Sequence, residues 1–240
     1  LFIFELSFFS ELMFKQKHCF ILLLFIIFTI KGISVLANED YSFKNYNSDN
    51  GLSQNTVWSI FQDNLGFMWF GTKDGLNRFD GSTFKVFKFS TDSDLRDNVF
   101  HRILQDKNED IWVATEEGVY VYNIYQEQFR RFNKHTINND SVHGVVTEMI
   151  ADEEGDIWMS VEGKGIFHYS IEDDDLMFYS IPIVEDGMKK VSLCSDNSRG
   201  VWAFPYSSPI IHINKVTKEV SEFNLFDDED KIANISDVRQ

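Results

Sequence analysis

The 240-residue chain is short of cysteine, of positive charge and of long apolar runs, and each shortage closes off a class of protein. Its two cysteines are Cys19 and Cys194, and Cys19 lies in an N-terminal stretch that export would remove. A lone Cys194 forms no internal disulfide, so stability has to come from packing; in its expected inner strand Cys194 reads as a buried small apolar residue. Lys and Arg number 22 against 38 Asp and Glu, for a formal net charge of −16. Such a surface repels phosphate backbones, and nucleic acid is not a partner of this segment. The apolar run at residues 19–30 is twelve residues long, short of the roughly 18–20 that a membrane span needs. No Gly-x-x-x-x-Gly-Lys phosphate loop, phosphoacceptor-histidine helix or ATP-binding motif occurs. His18, His101, His135, His143, His168 and His212 lack zinc-ligand spacing, and the acidic runs at residues 172–175 and 227–230 lack the glycine and terminal glutamate of an EF-hand loop. No cofactor and no metal is expected.

Leu1 is not an initiator and the first methionine is Met13, so residues 1–12 read as upstream or fragment residues. Lys15 and Lys17, the apolar run, and Val35 and Ala37 at the −3 and −1 positions together make residues 13–37 a secretory signal peptide. An uncleaved N-terminal anchor is the alternative; either one takes the rest of the chain out of the cytoplasm. Residues 38–240 are then the exported domain, long enough to bury a substantial core.

What the sequence does have is a repeat. An Asp followed six residues later by a Trp occurs as Asp63/Trp69, Asp106/Trp112, Asp152/Trp158 and Asp196/Trp202, with steps of 43, 46 and 44 residues. A period in the forties with strand-like local pattern predicts an all-β propeller of four-stranded antiparallel blades, here about four of them in an incomplete ring. Ahead of each Asp lies a short apolar run, Ile60-Phe61, Ile103-Leu104, Met149-Ile150 or Leu193-Cys194, expected as an inner strand buried on both faces. Each Asp then opens a turn, accepting backbone N–H groups while a glycine such as Gly66 or Gly155 takes positive φ. The Trp follows on a second strand, its ring suited to the gap between blades. Second turns at Lys73-Asp74-Gly75, Glu116-Glu117-Gly118 and Glu162-Gly163-Lys164-Gly165 lead to third strands at residues 76–79, 119–122 and 166–169 and fourth strands at 84–87, 129–132 and 176–179.

Gly51-Leu52-Ser53-Gln54-Asn55-Thr56-Val57, Ile60-Phe61-Gln62-Asp63, Gly66, Trp69-Phe70-Gly71-Thr72 and Gly75-Leu76-Asn77-Arg78-Phe79-Asp80 together resemble the two-component regulator propeller repeat. The second unit keeps Asp106, Trp112, Thr115 and Gly118 but has Glu109 and Ala114 at glycine positions. The third keeps Asp152, Gly155 and Trp158, with Ser160-Val161 in place of Gly-Thr; the fourth, around Asp196 and Trp202, is degenerate. The resemblance covers residues 41–223. It implies the periplasmic sensor region of a hybrid two-component system, common in Bacteroidetes. The parent in that case carries seven-bladed propellers, a membrane helix and a histidine kinase core, and senses oligosaccharides to control polysaccharide-utilisation genes. Residues 41–46 resemble an outer strand that completes the last blade, and residues 232–240 read as the opening of a truncated fifth unit, so that the chain is expected to be the N-terminal piece of a longer protein.

A turn role for the repeated carboxylates fits their identical place in every unit, whereas a catalytic pair needs different positions converging on one pocket. No catalytic residue is assigned. Binding remains, at the varied loops at residues 90–98, 133–144, 180–189 and 224–231, none of which has a clear aromatic platform. Trp58, the one tryptophan off the repeat, lies in the first inner strand where His101, Thr147 and Val191 hold the matching place. Trp58 and His101 are the candidates for a channel-lining or ligand-facing surface, against ordinary packing near the blade axis. Oligosaccharide or another small ligand, the rest of the parent chain and a homodimer are the partners in view. A secreted propeller hydrolase or lyase, and a non-catalytic protein-binding propeller, stand as alternatives.

Overall fold

The computed structural model describes residues 42–87, 99–181, 190–196, 200–205 and 209–224. The chain divides into two units, Leu1–Asn45 and Tyr46–Gln240. Of the first, residues 42–45 alone are described, and they have no regular secondary structure. The signal peptide, residues 1–12, the fifth unit at 232–240 and most of three of the four loops named above lie outside the described residues.

The second unit is a succession of four-stranded antiparallel sheets, each a meander in chain order. Sheet I is β1 (Val57–Gln62), β2 (Met68–Thr72), β3 (Leu76–Phe79) and β4 (Phe84–Phe87). Sheet II is β5 (Phe100–Gln105), β6 (Ile111–Thr115), β7 (Val119–Asn123) and β8 (Gln128–Arg131). Sheet III is β9 (Val146–Ala151), β10 (Ile157–Val161), β11 (Gly165–Ser170) and β12 (Asp175–Tyr179). Sheet IV is β13 (Val191–Ser195), β14 (Gly200–Pro205), β15 (Ile210–Asn214) and β16 (Val220–Phe223). The first strands β1, β5, β9 and β13 lie beside one another in that order, as the inner strands of propeller blades do. The ring is not closed by the described residues.

The core lies in layers between consecutive sheets, and a tryptophan anchors each layer. Trp69 packs with Phe100, Ile103, Ile111 and Val113 of sheet II; Trp112 with Met149, Ile157 and Met159 of sheet III; Trp158 with Leu193, Val201 and Ile211 of sheet IV. These three rings are 0%, 1% and 0% exposed. Burial on that scale is what lets a small sheet, unstable alone, hold its place.

Two expectations fail for one physical reason, that a blade face stays wet until another blade covers it. Inner strand β1 is not buried on both faces: Ile60 is 61% exposed, whereas its register counterparts Ile103, Met149 and Leu193 are 8%, 4% and 9% exposed. Those counterparts lie under the preceding sheet, and no described sheet precedes sheet I. Cys194 is exposed rather than buried, on the last described sheet, where Phe204 is 41% exposed and Trp202 half-buried. Residues 42–46, the described part of the expected N-terminal outer strand, have no regular secondary structure here, and the partner strands expected for them lie beyond residue 240. Tyr46 nonetheless lies 4.8 Å from Phe79 and 5.7 Å from Phe84 between ring centroids. Phe87 meets Tyr122 and Phe129 of the next sheet in the same way, at 5.3 and 5.4 Å. Tyr46 thus holds the place that the outer-strand aromatic of a preceding sheet would take.

The turn between β10 and β11 depends on Gly165, whose φ is 152° and where an added Cβ would stand 2.6 Å from the Tyr179 carbonyl oxygen. Gly165→Ala should therefore cost about 1–3 kcal/mol, read as a lower urea midpoint with unchanged slope. Tyr122 carries the opposite kind of defect, a buried hydroxyl with no hydrogen-bond partner among the described residues. Its burial also pushes the phenol pKa up. Tyr122→Phe should leave stability unchanged or raise it by about 1 kcal/mol, since the desolvation penalty leaves with the hydroxyl; a drop in thermal midpoint would show a hidden partner.

Candidate functional site

The repeated Asp side chains are acceptors at the centre of each first turn. Asp63 Oδ1 accepts from the backbone N–H of Leu65 at 3.0 Å and of Phe67 at 2.9 Å, while Oδ2 accepts from Trp69 Nε1 at 2.7 Å. Asp106 repeats this with Asn108, Asp110 and Trp112 at 2.8, 2.9 and 2.7 Å. Asp152 repeats it with Glu154, Asp156 and Trp158, all at 3.0 Å. The six-residue spacing is therefore a carboxylate-to-indole hydrogen bond, a reason for the pairing that the residue pattern alone did not supply. The third residue after each Asp has positive φ: Gly66 at 88°, Glu109 at 68° and Gly155 at 81°. Thr72 and Thr115 close the second turns, donating to the carbonyls of Gly75 and Gly118 at 2.9 Å each. In sheet IV, Asp196 Oδ1 accepts from Gly200 N at 2.8 Å and Oδ2 lies 2.6 Å from His212 Nε2, with Trp202 against the His212 ring at 4.6 Å. Gly71 admits the close approach of sheet II, since a Cβ there would stand 2.8 Å from Phe100 Cβ.

A second cluster joins sheets III and IV. Lys215 follows β15 at the position held after β7 and β11 by Ile124 and Ile171, which pack apolar against the preceding sheet. Its ammonium instead reaches the Asp152 and Asp156 carboxylates at 2.7 and 3.0 Å and Glu154 at 3.0 Å. His168, stacked on Trp158 at 4.2 Å, places Nε2 3.2 Å from Asp156 Oδ2. Burial lowers the His168 pKa, outweighing the pull of Asp156, and keeps the ring neutral. Asp152 is held below the ordinary carboxylate range by hydrogen bonds from Lys215 and Trp158, which overcome its desolvation. Ligand atoms of Asp152, Asp156 and His168 lie within 4.8 Å of one another, a spacing a cation could use, but Lys215 already supplies the positive charge there. The sequence pattern carried no sign of this network, because its members come from positions 59–63 residues apart.

A third arrangement, which includes the sequence candidates Trp58 and His101, lies on the inner strands. Register shifts interrupt the β1–β2 pairing at Trp58, the β5–β6 pairing at His101 and the β9–β10 pairing at Thr147. Each of the three is an extra residue in its strand, a β-bulge at the same point of three neighbouring blades, and bulges re-aim side chains. Trp58 is 55% exposed; His101 and Thr147 are half-buried. Sheet IV has no bulge at the matching Val191, which is buried. The structure thus places Trp58 and His101 in one row, with Thr147 as the third member. Part of the Trp58 exposure belongs to the uncovered side of sheet I, where Ile60 is also exposed.

The next residue on each strand ties the blades together. Ser59 Oγ donates to the Phe100 carbonyl at 3.2 Å. Arg102 makes a two-pronged ion pair with Glu148, Nε to Oε1 at 2.5 Å and Nη2 to Oε2 at 2.9 Å, and its Nη1 donates to the His101 carbonyl at 2.9 Å. At the end of the row Thr147 and Ser160, with hydroxyls 3.5 Å apart, line a cavity of about 10 Å³ with Ile181 and Val191, room for one water. Of the four loops, residues 133–144 are described throughout: His135 bridges to Ser141, and Ile137 stands fully exposed at the tip.

Comparison with known proteins places this architecture. Residues 51–74 and 94–117, which span the inner hairpins of sheets I and II, match the two component regulator propeller profile. Over 64 residues, 26% of this chain and 5% of the relative, the sequence is 47% identical to histidine kinase P4 of Formosa agariphila. The extracellular domain of a hybrid two component system from B. thetaiotaomicron superposes with a TM-score of 0.63 at 22% identity, over 76% of this chain and 26% of that one. A second such domain from the same organism gives 0.58 at 26% identity, over 72% and 25%. Virginiamycin B lyase from Staphylococcus aureus gives 0.58 at 15% identity, over 80% and 62%, and shares the fold alone. The chain spans about a quarter of the two extracellular domains and one twentieth of the kinase.

Proposed function

We infer that this chain, which carries two-component regulator propeller repeats at residues 51–74 and 94–117, is the ligand-sensing propeller segment of a two-component signal-transduction protein. It works on the periplasmic side of the inner membrane, and the kinase belongs to another part of the parent polypeptide. The repeat match carries this reading. The sheet arrangement shared with two extracellular sensor domains supports it, as does the stretch shared with a histidine kinase.

The ligand is an oligosaccharide, met at the row formed by Trp58, His101 and Thr147, and the response is transcription of polysaccharide-utilisation genes. An indole face gives a pyranose ring an apolar platform, and the hydroxyls of Thr147 and Ser160 with the Arg102–Glu148 pair offer donors and acceptors for its hydroxyls. Further blades of the parent cover the open sides of sheets I and IV. A hydrolase or lyase reading has less to rest on, because Asp63, Asp106 and Asp152 are committed to their turns.

The test is an in-frame replacement of Trp58 by Ala in the full-length parent, in its native host. Induction of neighbouring polysaccharide-utilisation genes by oligosaccharide should fall by about tenfold or more, as loss of one stacking platform predicts. Full induction with a normally abundant variant would remove the row as the site. Cleavage of an oligosaccharide by the purified chain would replace the sensor reading with an enzymatic one.

A further inference from the structure

We propose that the ligand of the inner-strand row is uncharged, a neutral oligosaccharide rather than one bearing uronate or sulfate groups; the proposal rests on the sensing reading above. Arg102 is the single Lys or Arg on β1, β5, β9 and β13, so on the strands themselves it is the cation that would meet an anionic sugar. Each of its three nitrogens already holds a protein acceptor, although two of the five N–H groups are not used by these bonds. Nε and Nη2 hold the two oxygens of Glu148, and Nη1 is turned to the His101 carbonyl.

The Glu148 side chain is 10% exposed and that of Arg102 36%. An anion approaching the guanidinium would therefore meet a carboxylate that cannot swing into water without giving up its charge-assisted bonds in a largely dry place. Two anions competing for one cation repel, and breaking a buried pair leaves an uncompensated charge behind. Nothing comparable opposes a neutral hydroxyl, which can donate to Glu148 and accept from Arg102 while the pair stays intact.

The rest of the row points the same way. Trp58 offers a charge-free face, Thr147 and Ser160 offer hydroxyls, and Glu162 at the cavity rim adds a negative charge beside Lys164, whose ammonium lies 3.4 Å from the Ser141 carbonyl. Over the whole chain the net charge of −16 lowers the local concentration of any anion before contact is made.

Isothermal titration of the purified chain with two sets of tetrasaccharides separates the two ligand classes: gluco-, manno-, galacto- and xylo-tetraose as neutral probes, and tetragalacturonate and tetramannuronate as anionic ones. At least one neutral probe should bind, with a Kd that is the same at low and high salt and that weakens in Trp58→Ala. Both anionic probes should bind at least about tenfold more weakly. Glu148→Gln frees the guanidinium without changing the shape of the side chain. It should raise the affinity for an anionic probe relative to the neutral one by about tenfold, whatever the loss in neutral binding as Glu148 stops accepting as a carboxylate. An anionic probe that binds the native chain most tightly, with affinity falling as salt rises, overturns the charge assignment and leaves sensing intact. Silence from all probes, in native chain and variants alike, overturns the oligosaccharide reading and this proposal with it. Should Glu148→Gln fail to fold, the neutral-to-anionic affinity ratio of the native chain and its salt dependence still distinguish a neutral ligand from a charged one.

Discussion

Trp112→Ala should destabilise the chain by about 3–5 kcal/mol, the range for deleting a fully buried aromatic ring. The loss has two parts. The ring is 1% exposed, packed against Phe132 and Tyr169 at 5.1 and 5.6 Å and against the aliphatic side of sheet III, so its removal leaves a cavity between two sheets. It also strips the Asp106 carboxylate of its indole donor at 2.7 Å. Trp112→Phe separates the two, because it keeps most of the ring and removes the N–H; about 1–3 kcal/mol of the total should remain, the penalty for an acceptor left unsatisfied. Trp202→Ala should cost clearly less than Trp112→Ala, since Trp202 is half-buried on a face with no described neighbour. Urea unfolding followed by far-UV circular dichroism gives all three values. Equal losses for Trp112 and Trp202 would contradict the layer-by-layer core.

The second large effect is expected at Lys215. Lys215→Met removes the one cation from between Asp152 and Asp156, whose side chains are 4% and 9% exposed. Breaking a buried pair by deleting one partner costs about 3–5 kcal/mol, and the lower end applies because Glu154 is 55% exposed and reaches water. The pH dependence follows from the shifts. The Lys215 pKa is raised, against the desolvation of its site, by the hydrogen bonds its ammonium donates to the carboxylates of Asp152, Glu154 and Asp156, so its charge stabilises the fold below the ordinary value of 10.5 and ceases to as pH climbs through the folded value. The Asp152 pKa is lowered, so its contribution is present above the ordinary 3.8 and disappears as pH drops through the folded value. The gap between native chain and variant should therefore be widest between these limits and close in acid, as the carboxylates protonate and no longer need a counter-ion. His168, kept neutral by burial, adds an acid sensitivity that begins below its ordinary 6.5. A variant whose stability deficit is the same at pH 3 and pH 7 would show that Lys215 acts through packing alone.

Much of the fold was legible in the sequence because a repeat reports itself. A period set by Asp and Trp names the turn and the buried ring in each blade, and the strands between follow from alternation. The side of a strand that stays wet was not legible: Ile60 and Ile103 occupy one register position and differ only in whether a sheet precedes them. Cys194 was misread for the same reason. The shared position of Trp58 and His101 was legible through their mismatch with the repeat, but the bulges at that position leave no residue signature, since Trp, His and Thr share no chemistry there. The Lys215 network was out of reach altogether. Its lysine stands where two isoleucines stand in the neighbouring blades, and a pattern reading takes such a change for a solvated loop.

Layered packing has a consequence for how the molecule opens. Among the described residues, sheets II and III are packed on both faces, and sheets I and IV against a neighbouring sheet on one. Such an array behaves as a one-dimensional chain of coupled units, with excursions that start at the ends and travel inward. Amide hydrogens of β6 and β10 should exchange last, those of β3 and β15 earlier, and the difference is the free energy of a single Trp-filled layer. In this chain the protection profile would follow position along the array rather than the hydrophobicity of each strand.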